Sequence, residues 1–96
     1  MRFLLHIRIP TEAGNKMMQD PDGIRKLEEY MNMVKPEAAY FVEDCGDRTF
    51  YFVVDVASAD MIPKIAEPLF QGYNAKVEFH PAMVLADLKK ASQKPS

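Results

Sequence analysis

Residues 38–56, AAYFVEDCGDRTFYFVVDV, predict a β-hairpin, and this hairpin decides the fold. Its two arms are rich in aromatic and β-branched residues, and Cys45-Gly46 between them has the length of a two-residue hairpin turn. With these two residues at the centre of the turn, Glu43 lies opposite Arg48. Because side chains alternate between the two faces of a strand, this register assigns every hairpin residue to one face.

The two faces of the predicted hairpin differ in composition. One face is apolar and is predicted to be the core side; it comprises Ala39, Phe41, Phe50, Phe52 and Val54. The other mixes aromatic, aliphatic and polar residues, namely Tyr40, Val42, Thr49, Tyr51, Val53 and Asp55. The mixed face is too aromatic for an ordinary solvent surface and too polar for a core, so we expect it to line a ligand cavity or a partner interface.

Two further strands flank the hairpin in the chain. Residues 2–9 alternate between apolar and other side chains, which is typical of a half-buried strand, and Pro10 ends it. Residues 75–80 alternate in the same way, and Pro81 closes that strand. The mixed face of the predicted sheet therefore also receives Leu4, His6, Arg8, Lys76, Glu78 and His80.

Apolar residues at spacings of three and four predict the helices. The first helix begins at Asp20-Pro21 and ends at Lys35-Pro36, with the stripe Ile24, Leu27, Met31 and Val34. Residues 11–19 before it are predicted to be a connection, in which residues 12–18 are the candidate for a helical turn. The second helix has the apolar stripe Ile62, Ile65, Leu69 and Phe70, and Ser58 or Asp60 caps its start. We expect Pro68 to bend or shorten this helix and Gly72 to cap its end. Val84, Leu85 and Leu88 predict a short last helix.

The element order β-α-β-β-α-β-α predicts an α+β fold. With right-handed crossovers, two helices cover one sheet face most simply in a ferredoxin-like βαββαβ sandwich. We therefore expect a four-stranded antiparallel sheet of order 4-1-3-2, two main helices on one face and a short C-terminal helix. Residues 1–91 are predicted to form the single domain, and residues 92–96 a polar tail.

Composition limits the classes of function. The 96 residues are 48% hydrophobic and 27% charged, as in a soluble globular domain, and the formal net charge of −2 does not favour a nucleic-acid partner. Cys45 is the one cysteine, which excludes an intramolecular disulfide and fits a reducing compartment. His6 and Arg8 interrupt the first apolar stretch, so we expect neither a signal peptide nor a membrane span, and a cytoplasmic location.

Several stretches carry a resemblance to a known superfamily. They are residues 1–10, a first strand ending in proline; residues 53–58, VVDVAS, leading into the second helix; and residues 68–70, PLF, followed by Tyr73 and residues 77–79, VEF. In these stretches the chain resembles the dimeric α+β barrel superfamily, and within it the muconolactone-isomerase-like group. Residues 15–36 carry no such resemblance. The resemblance implies a homodimer in which two sheets pack their open faces together and enclose a cavity.

The mixed face carries the candidate functional residues. His6 and Arg8 lie on a central strand, Glu78 and His80 on one neighbour, and Tyr51 and Asp55 on the other, so we expect them to form one patch. Tyr40 faces Tyr51 across the hairpin, either to stack on an aromatic ligand or to pack at an interface. Such a patch suits the binding of a small polar or aromatic molecule, because histidine titrates near neutrality and arginine binds carboxylate or enolate oxygen.

Two alternatives to ligand binding remain open. In the first, the cavity belongs to a cofactor-free isomerase or monooxygenase in which His6 is the general base, Arg8 the oxyanion partner, and Glu78 or Asp55 the orienting carboxylate. In the second, the patch only makes a polar dimer interface. The sequence contains no metal-ligand spacing and no cofactor fingerprint, and the acidic turn around Cys45 is interpreted as solvated.

Overall fold

The computed structural model describes residues 1–93, which form an α+β fold with a four-stranded antiparallel sheet and four helices. The strands are β1 (Arg2–Ile9), β2 (Ala38–Asp44), β3 (Asp47–Asp55) and β4 (Lys76–Pro81). The helices are α1 (Thr11–Gln19), α2 (Gly23–Val34), α3 (Met61–Tyr73) and α4 (Leu85–Ser92).

The sheet has the order β2-β3-β1-β4, with β1 and β3 in the centre and β2 and β4 at the edges. Counted from the β4 edge, this order reads 4-1-3-2. Every neighbouring pair is antiparallel. The register aligns His6 of β1 with Tyr51 of β3 on one side and with Glu78 of β4 on the other.

The hairpin has the register that the sequence predicts. Glu43 pairs with Arg48 across the strands, and Phe41 pairs with Phe50. Cys45 and Gly46 between the arms both have positive φ, 52° and 81°, as a type I′ turn requires. This turn matches the right-handed twist of the strands, so the two-residue connection fixes the pairing of the whole hairpin.

The core lies between the apolar sheet face and the helices. It contains the predicted inward residues of β3 and those of β1 except the partly buried Phe3. The helices add Met17 of α1, Leu27 and Tyr30 of α2, and Ile65 and Leu69 of α3. Leu5, Ile7, Ile9, Phe52 and Leu69 are completely buried. The buried hydroxyl of Tyr30 donates a hydrogen bond of 2.7 Å to the carbonyl oxygen of Ile65, which ties α2 to α3, and burial raises its pKa.

Three predicted core positions are exposed. Phe41 is 52% exposed although it shares a face with Phe50 and contacts it edge-on, with ring centroids 4.8 Å apart. It lies on edge strand β2, where the helices leave part of the sheet uncovered. Ile24 and Phe70 are exposed as well.

The helix boundaries differ from the predicted ones. Residues 11–19 form the full helix α1, and α2 starts at Gly23, three residues after Asp20. Gly23 approaches the carbonyl oxygen of Met17 so closely that no Cβ fits there, which makes the connection between α1 and α2 tight. Helix α3 continues through Pro68, and its left-handed C-cap is Asn74 rather than Gly72.

Helix α4 extends the chain beyond the sheet. It includes Ser92, which the sequence assigns to the polar tail, while residues 94–96 of that tail lie outside the described residues. None of the helices within residues 1–93 has the length and apolar character needed to cross a membrane.

We predict that Phe52→Ala is far more destabilising than Tyr40→Ala. Phe52 is completely buried, and truncating a buried Phe costs about 3–5 kcal/mol, whereas the side chain of Tyr40 is largely exposed. The midpoints of urea unfolding, measured in parallel for both variants and the wild type, test this order. The reverse order would show that the two faces of the hairpin are assigned the wrong way round.

Candidate functional site

The candidate site lies on the sheet face opposite the helices, around His6. Its imidazole is mostly buried, with 16% of the side chain exposed. The ring packs edge-on against Tyr51, with centroids 5.1 Å apart and an interplanar angle of 63°. Glu78 lies on the other neighbouring strand, with Oε2 3.7 Å from Nδ1 of His6. The sheet register therefore places an imidazole between a phenol and a carboxylate.

Three side chains converge on one carboxylate oxygen, Oδ2 of Asp44. Nε2 of His6 donates to it over 3.2 Å, a terminal nitrogen of Arg8 over 3.4 Å and the hydroxyl of Tyr51 over 3.4 Å. His6 and Arg8 belong to β1, Tyr51 to β3, and Asp44 to the end of β2. The site thus joins the tip of the hairpin to the centre of the sheet.

This contact requires the hairpin to curve over the open face. In a flat sheet, β2 and β1 are separated by β3 and lie about 10 Å apart, and Asp44 lies further along the strands from His6 than a carboxylate reaches. Twist and curl of the antiparallel ribbon bring the tip back toward β1. Thr49, a polar residue on this face, is completely buried, which is consistent with a hairpin tip that curves over the face.

Electrostatics favour the ionised form of Asp44. The hydrogen bond from His6 is the largest of the causes that hold the pKa of Asp44 below its ordinary value of 3.8; hydrogen bonds from Cys45 and Tyr51 and the charge of Arg8 act in the same direction. The pKa of Tyr51 is raised, first by burial and then by the neighbouring carboxylate of Asp44. Tyr51 is therefore a neutral hydrogen-bond donor to a charged acceptor at neutral pH.

Arg8 is held by carboxylates on both sides of the hairpin turn. In addition to its contact with Asp44, Nε lies 3.9 Å from Oδ2 of Asp47, which is too long for a hydrogen bond. This Nε is buried, and among residues 1–93 it has no hydrogen-bond partner. The guanidinium therefore has unused donor capacity beside the site.

Glu78 links the site to His80. Nε2 of His80 lies 3.1 Å from the same Oε2 of Glu78 that faces His6. The side chain of His80 is more than half exposed. The edge strand β4 therefore supplies a carboxylate with a histidine on either side, at the rim of the cluster.

Five of the seven predicted site residues come together, and two do not. The structure brings together His6, Arg8, Tyr51, Glu78 and His80. Asp55 shares their face but pairs with Arg2 at the far end of β3, where it accepts a 3.0 Å hydrogen bond from the amino group of Met1. Tyr40 pairs with Tyr51 in register, yet its side chain is 67% exposed on the edge strand.

The acidic residues of the turn, Asp44 and Asp47, are the site residues that the sequence interpretation missed. They were expected to be solvated, and the structure places both beside Arg8. Their position on the same face as Tyr51 was visible in the hairpin alternation. The sequence signal for Asp44 is therefore the alternation of the strand itself, because continuing from Tyr40 and Val42 to the end of the strand places Asp44 on the same face.

Two grooves lie elsewhere on the molecule. One, of about 700 Å³, lies between α1, the start of α2 and the end of α3, and includes Lys16, Lys26 and Tyr73. The other, of about 540 Å³, lies between α1, α2 and the hairpin. The seven predicted site residues line neither of them; these residues are His6, Arg8, Tyr40, Tyr51, Asp55, Glu78 and His80. On the open face, the cluster forms a polar surface of the single chain.

His6, Asp44 and Glu78 are of metal-ligating types, but they are arranged as a hydrogen-bonded cluster. Within residues 1–93, no three histidine, cysteine, aspartate or glutamate side chains are grouped so as to hold a metal ion. The cluster instead combines three hydrogen-bond donors with carboxylate acceptors, which is the chemistry of anion binding and proton exchange.

No protein-family model matches the chain, and no curated protein matches it.

We predict that Asp44→Asn destabilises the protein at neutral pH and that the loss disappears in acid. Because folding lowers the pKa of Asp44, the ionised carboxylate stabilises the fold above pH 3.8, and this contribution is lost as the pH falls through the lower value of the folded state. Urea midpoints of wild type and variant at about pH 6 and about pH 2 measure the difference.

Glu43→Gln is the matched control for this measurement. Glu43 is exposed on the same strand, and among residues 1–93 it takes part in no ion pair within 4.0 Å. Its substitution should change the midpoint little at either pH. A gap between wild type and Asp44→Asn that is equally large at both pH values would contradict the proposed contribution of the ionised carboxylate.

Proposed function

We propose that this protein is a homodimer of the dimeric α+β barrel type, with a ferredoxin-like subunit, that binds a small molecule with an anionic or carbonyl oxygen on the open sheet face. His6, Arg8 and Tyr51 bind that oxygen, and Glu78 and His80 flank it. Tyr40 contributes an aromatic surface beside the site. The protein binds the molecule without a cofactor.

One observation carries this proposal: His6, Arg8 and Tyr51 all donate to a single carboxylate oxygen. Donors from two strands that converge on one oxygen form a binding site for an oxyanion, whatever group supplies the oxygen. In the free chain, Asp44 of the hairpin tip supplies it. A ligand carboxylate then competes with the carboxylate of Asp44 for the same donors.

The apolar residues of the open face support the proposed dimer. Tyr40 and Val42 are large exposed residues of this face, and Leu4 and Val53 are only half-buried. Exposed aromatic and aliphatic surface beside a polar cluster is typical of a partner interface. Packing two such faces together turns an open polar surface into an enclosed one.

Catalysis by His6 is the weaker candidate. A general base needs a ring nitrogen that is free to face the substrate. In this site Nε2 of His6 donates to Asp44, and Nδ1 lies 3.7 Å from a carboxylate oxygen of Glu78. Both nitrogens thus face protein carboxylates, and Asp55, proposed from the sequence as an orienting group, lies at the far end of β3. The geometry favours binding over proton abstraction.

Titration with benzoate tests the binding site. We expect benzoate to shift the NMR signals of His6, Arg8 and Tyr51, and uncharged benzamide to shift them much less. His6→Gln keeps a side-chain donor but replaces a fixed ring by a flexible amide. It should weaken benzoate binding at least about fivefold, because ordering that side chain on the ligand costs about 1.5–2 kcal/mol.

Asp44→Asn and Asp47→Asn form the matched pair for competition. Each removes one negative charge from the same turn, but only Asp44 accepts hydrogen bonds from all three donors. Asp44→Asn should therefore strengthen benzoate binding more than Asp47→Asn does. Equal effects, or unchanged binding in His6→Gln, would overturn the assignment of the site.

We predict that Tyr40→Glu weakens the homodimer. Tyr40 is 67% exposed in the single chain, so the substitution leaves the fold of the subunit intact while placing a charge in the proposed interface. Sedimentation equilibrium should show a dimer dissociation constant raised at least about tenfold, which corresponds to about 1.4 kcal/mol. The control is Phe70→Glu, an exposed apolar residue of α3 on the other side of the sheet. Wild-type protein that stays monomeric at micromolar concentration would contradict the dimer.

A further inference from the structure

Helix α4 is an amphipathic helix whose apolar side is uncovered in the single chain. Leu85 is 65% exposed and Leu88 51% exposed, and α4 contains no buried residue. These two leucines share one side of the helix at a spacing of three, and Lys90 lies on the opposite side. A short helix of this kind gains most of its stability from packing its apolar side against another surface.

The groove beside the hairpin offers such a surface. Its volume is about 540 Å³, and its walls are almost entirely apolar. Methionines 17, 18 and 31 line it together with Ile24, Phe41 and Phe50. Methionine side chains are flexible and polarizable, so a groove that they line adapts to an inserted aliphatic side chain.

The charges of groove and helix are complementary. Glu28 and Glu43 lie at the groove, and among residues 1–93 neither takes part in an ion pair. Arg48 also lines the groove, where it donates to the carbonyl oxygen of Thr11 over 3.5 Å. The groove thus carries two negative charges and one positive charge, whereas α4 carries Lys89 and Lys90 with one acid, Asp87.

Helix α4 starts far from the groove of its own chain. Strand β4 ends opposite Phe3, and the amide of Ala82 is bonded to the carbonyl oxygen of Arg2, whereas Phe50 of the groove pairs with Ile7. The two points are separated by about 13 Å along the strands and about 10 Å across the sheet, or about 16 Å in a straight line. The three residues up to Leu85 and the first turn of α4 span about 15 Å.

From these observations we infer that α4 of one copy of the protein docks in the hairpin groove of a second copy. Leu85 and Leu88 enter the methionine-lined groove, and Lys89 pairs with Glu28 or Glu43. The contact uses a surface separate from the open sheet face. It therefore goes beyond the proposed ligand site and holds whether or not that site binds a small molecule.

Disulfide trapping between two differently tagged copies tests the docking. One copy carries Cys45→Ser and Ile24→Cys in the groove, and the other carries Cys45→Ser and Leu88→Cys in α4. Both carry Tyr40→Glu, which weakens the open-face contact equally in the test pair and in the control pair. Under mild oxidation, the yield of disulfide between the two tags should exceed that of the control at least about fivefold, because docking raises the effective concentration of the thiols.

The control copy carries Lys90→Cys in place of Leu88→Cys, on the opposite side of the same helix. Introducing Glu43→Lys into the groove copy should lower the trapped yield, and combining it with Lys89→Glu in the α4 copy should restore it. Leu88 is half exposed, so its replacement leaves the fold of the single chain intact.

Two results would overturn the inference. The first is a yield of trapped disulfide that is no higher with Leu88→Cys than with Lys90→Cys. That result would show that α4 of a second copy does not occupy the groove. The second is an intramolecular disulfide in one chain that carries both Ile24→Cys and Leu88→Cys, which would show that α4 folds back on its own groove. Because the trapping is performed in the Tyr40→Glu background, neither result bears on the open-face dimer or on benzoate binding.

Discussion

The type I′ turn at Cys45-Gly46 is the constraint on which the rest of the structure depends. Two residues with positive φ allow one pairing of the hairpin arms, and that pairing assigns Phe50 and Phe52 to the core and Tyr51 to the open face. A shift by one residue would exchange the two faces along β3, and through β3 along β1. Asp44 directly precedes this turn, so the geometry that defines the core also places a carboxylate on the open face.

The cluster around Asp44 shows how a small sheet assembles a polar site from distant parts of the chain. Strand β1 supplies His6 and Arg8, β3 supplies Tyr51, and β4 supplies Glu78, while the acceptor comes from the end of β2. Each donor is fixed by backbone pairing, but the acceptor depends on the curl of the hairpin. The donors are therefore the rigid part of the site, and under the proposed function the carboxylate of Asp44 is the part that a competing anion would displace.

The sequence predicted those features that depend on local geometry. Period-two alternation and turn length fixed the hairpin register, the strand faces and the alignment of His6 with Tyr51 and Glu78. The prediction of the site residues failed for contacts that depend on distance along the strands and on the curvature of the sheet. Asp55 shares a face with His6 but lies four residues from Tyr51 along β3. Asp44 reaches His6 only because the hairpin curves, and strand register does not predict that curvature. The sequence predicted a connection with a candidate helical turn where the structure has the full helix α1, because TEAGNKMMQ buries only Gly14 and Met17 and so lacks a long apolar stripe.

The exposed edge of β2 has a consequence for how the protein folds in a crowded solution. Tyr40, Phe41 and Val42 are consecutive, all exposed, and lie on a strand with one unpaired side. Neighbouring residues of a strand point in opposite directions, so one contact surface covers Tyr40 and Val42 while a different one covers Phe41. Until both are covered, this edge is a template for adding strands of other chains. The acids that follow, Glu43 and Asp44, and the sharp turn limit that growth, so the segment that organises the fold is also its point of greatest aggregation risk.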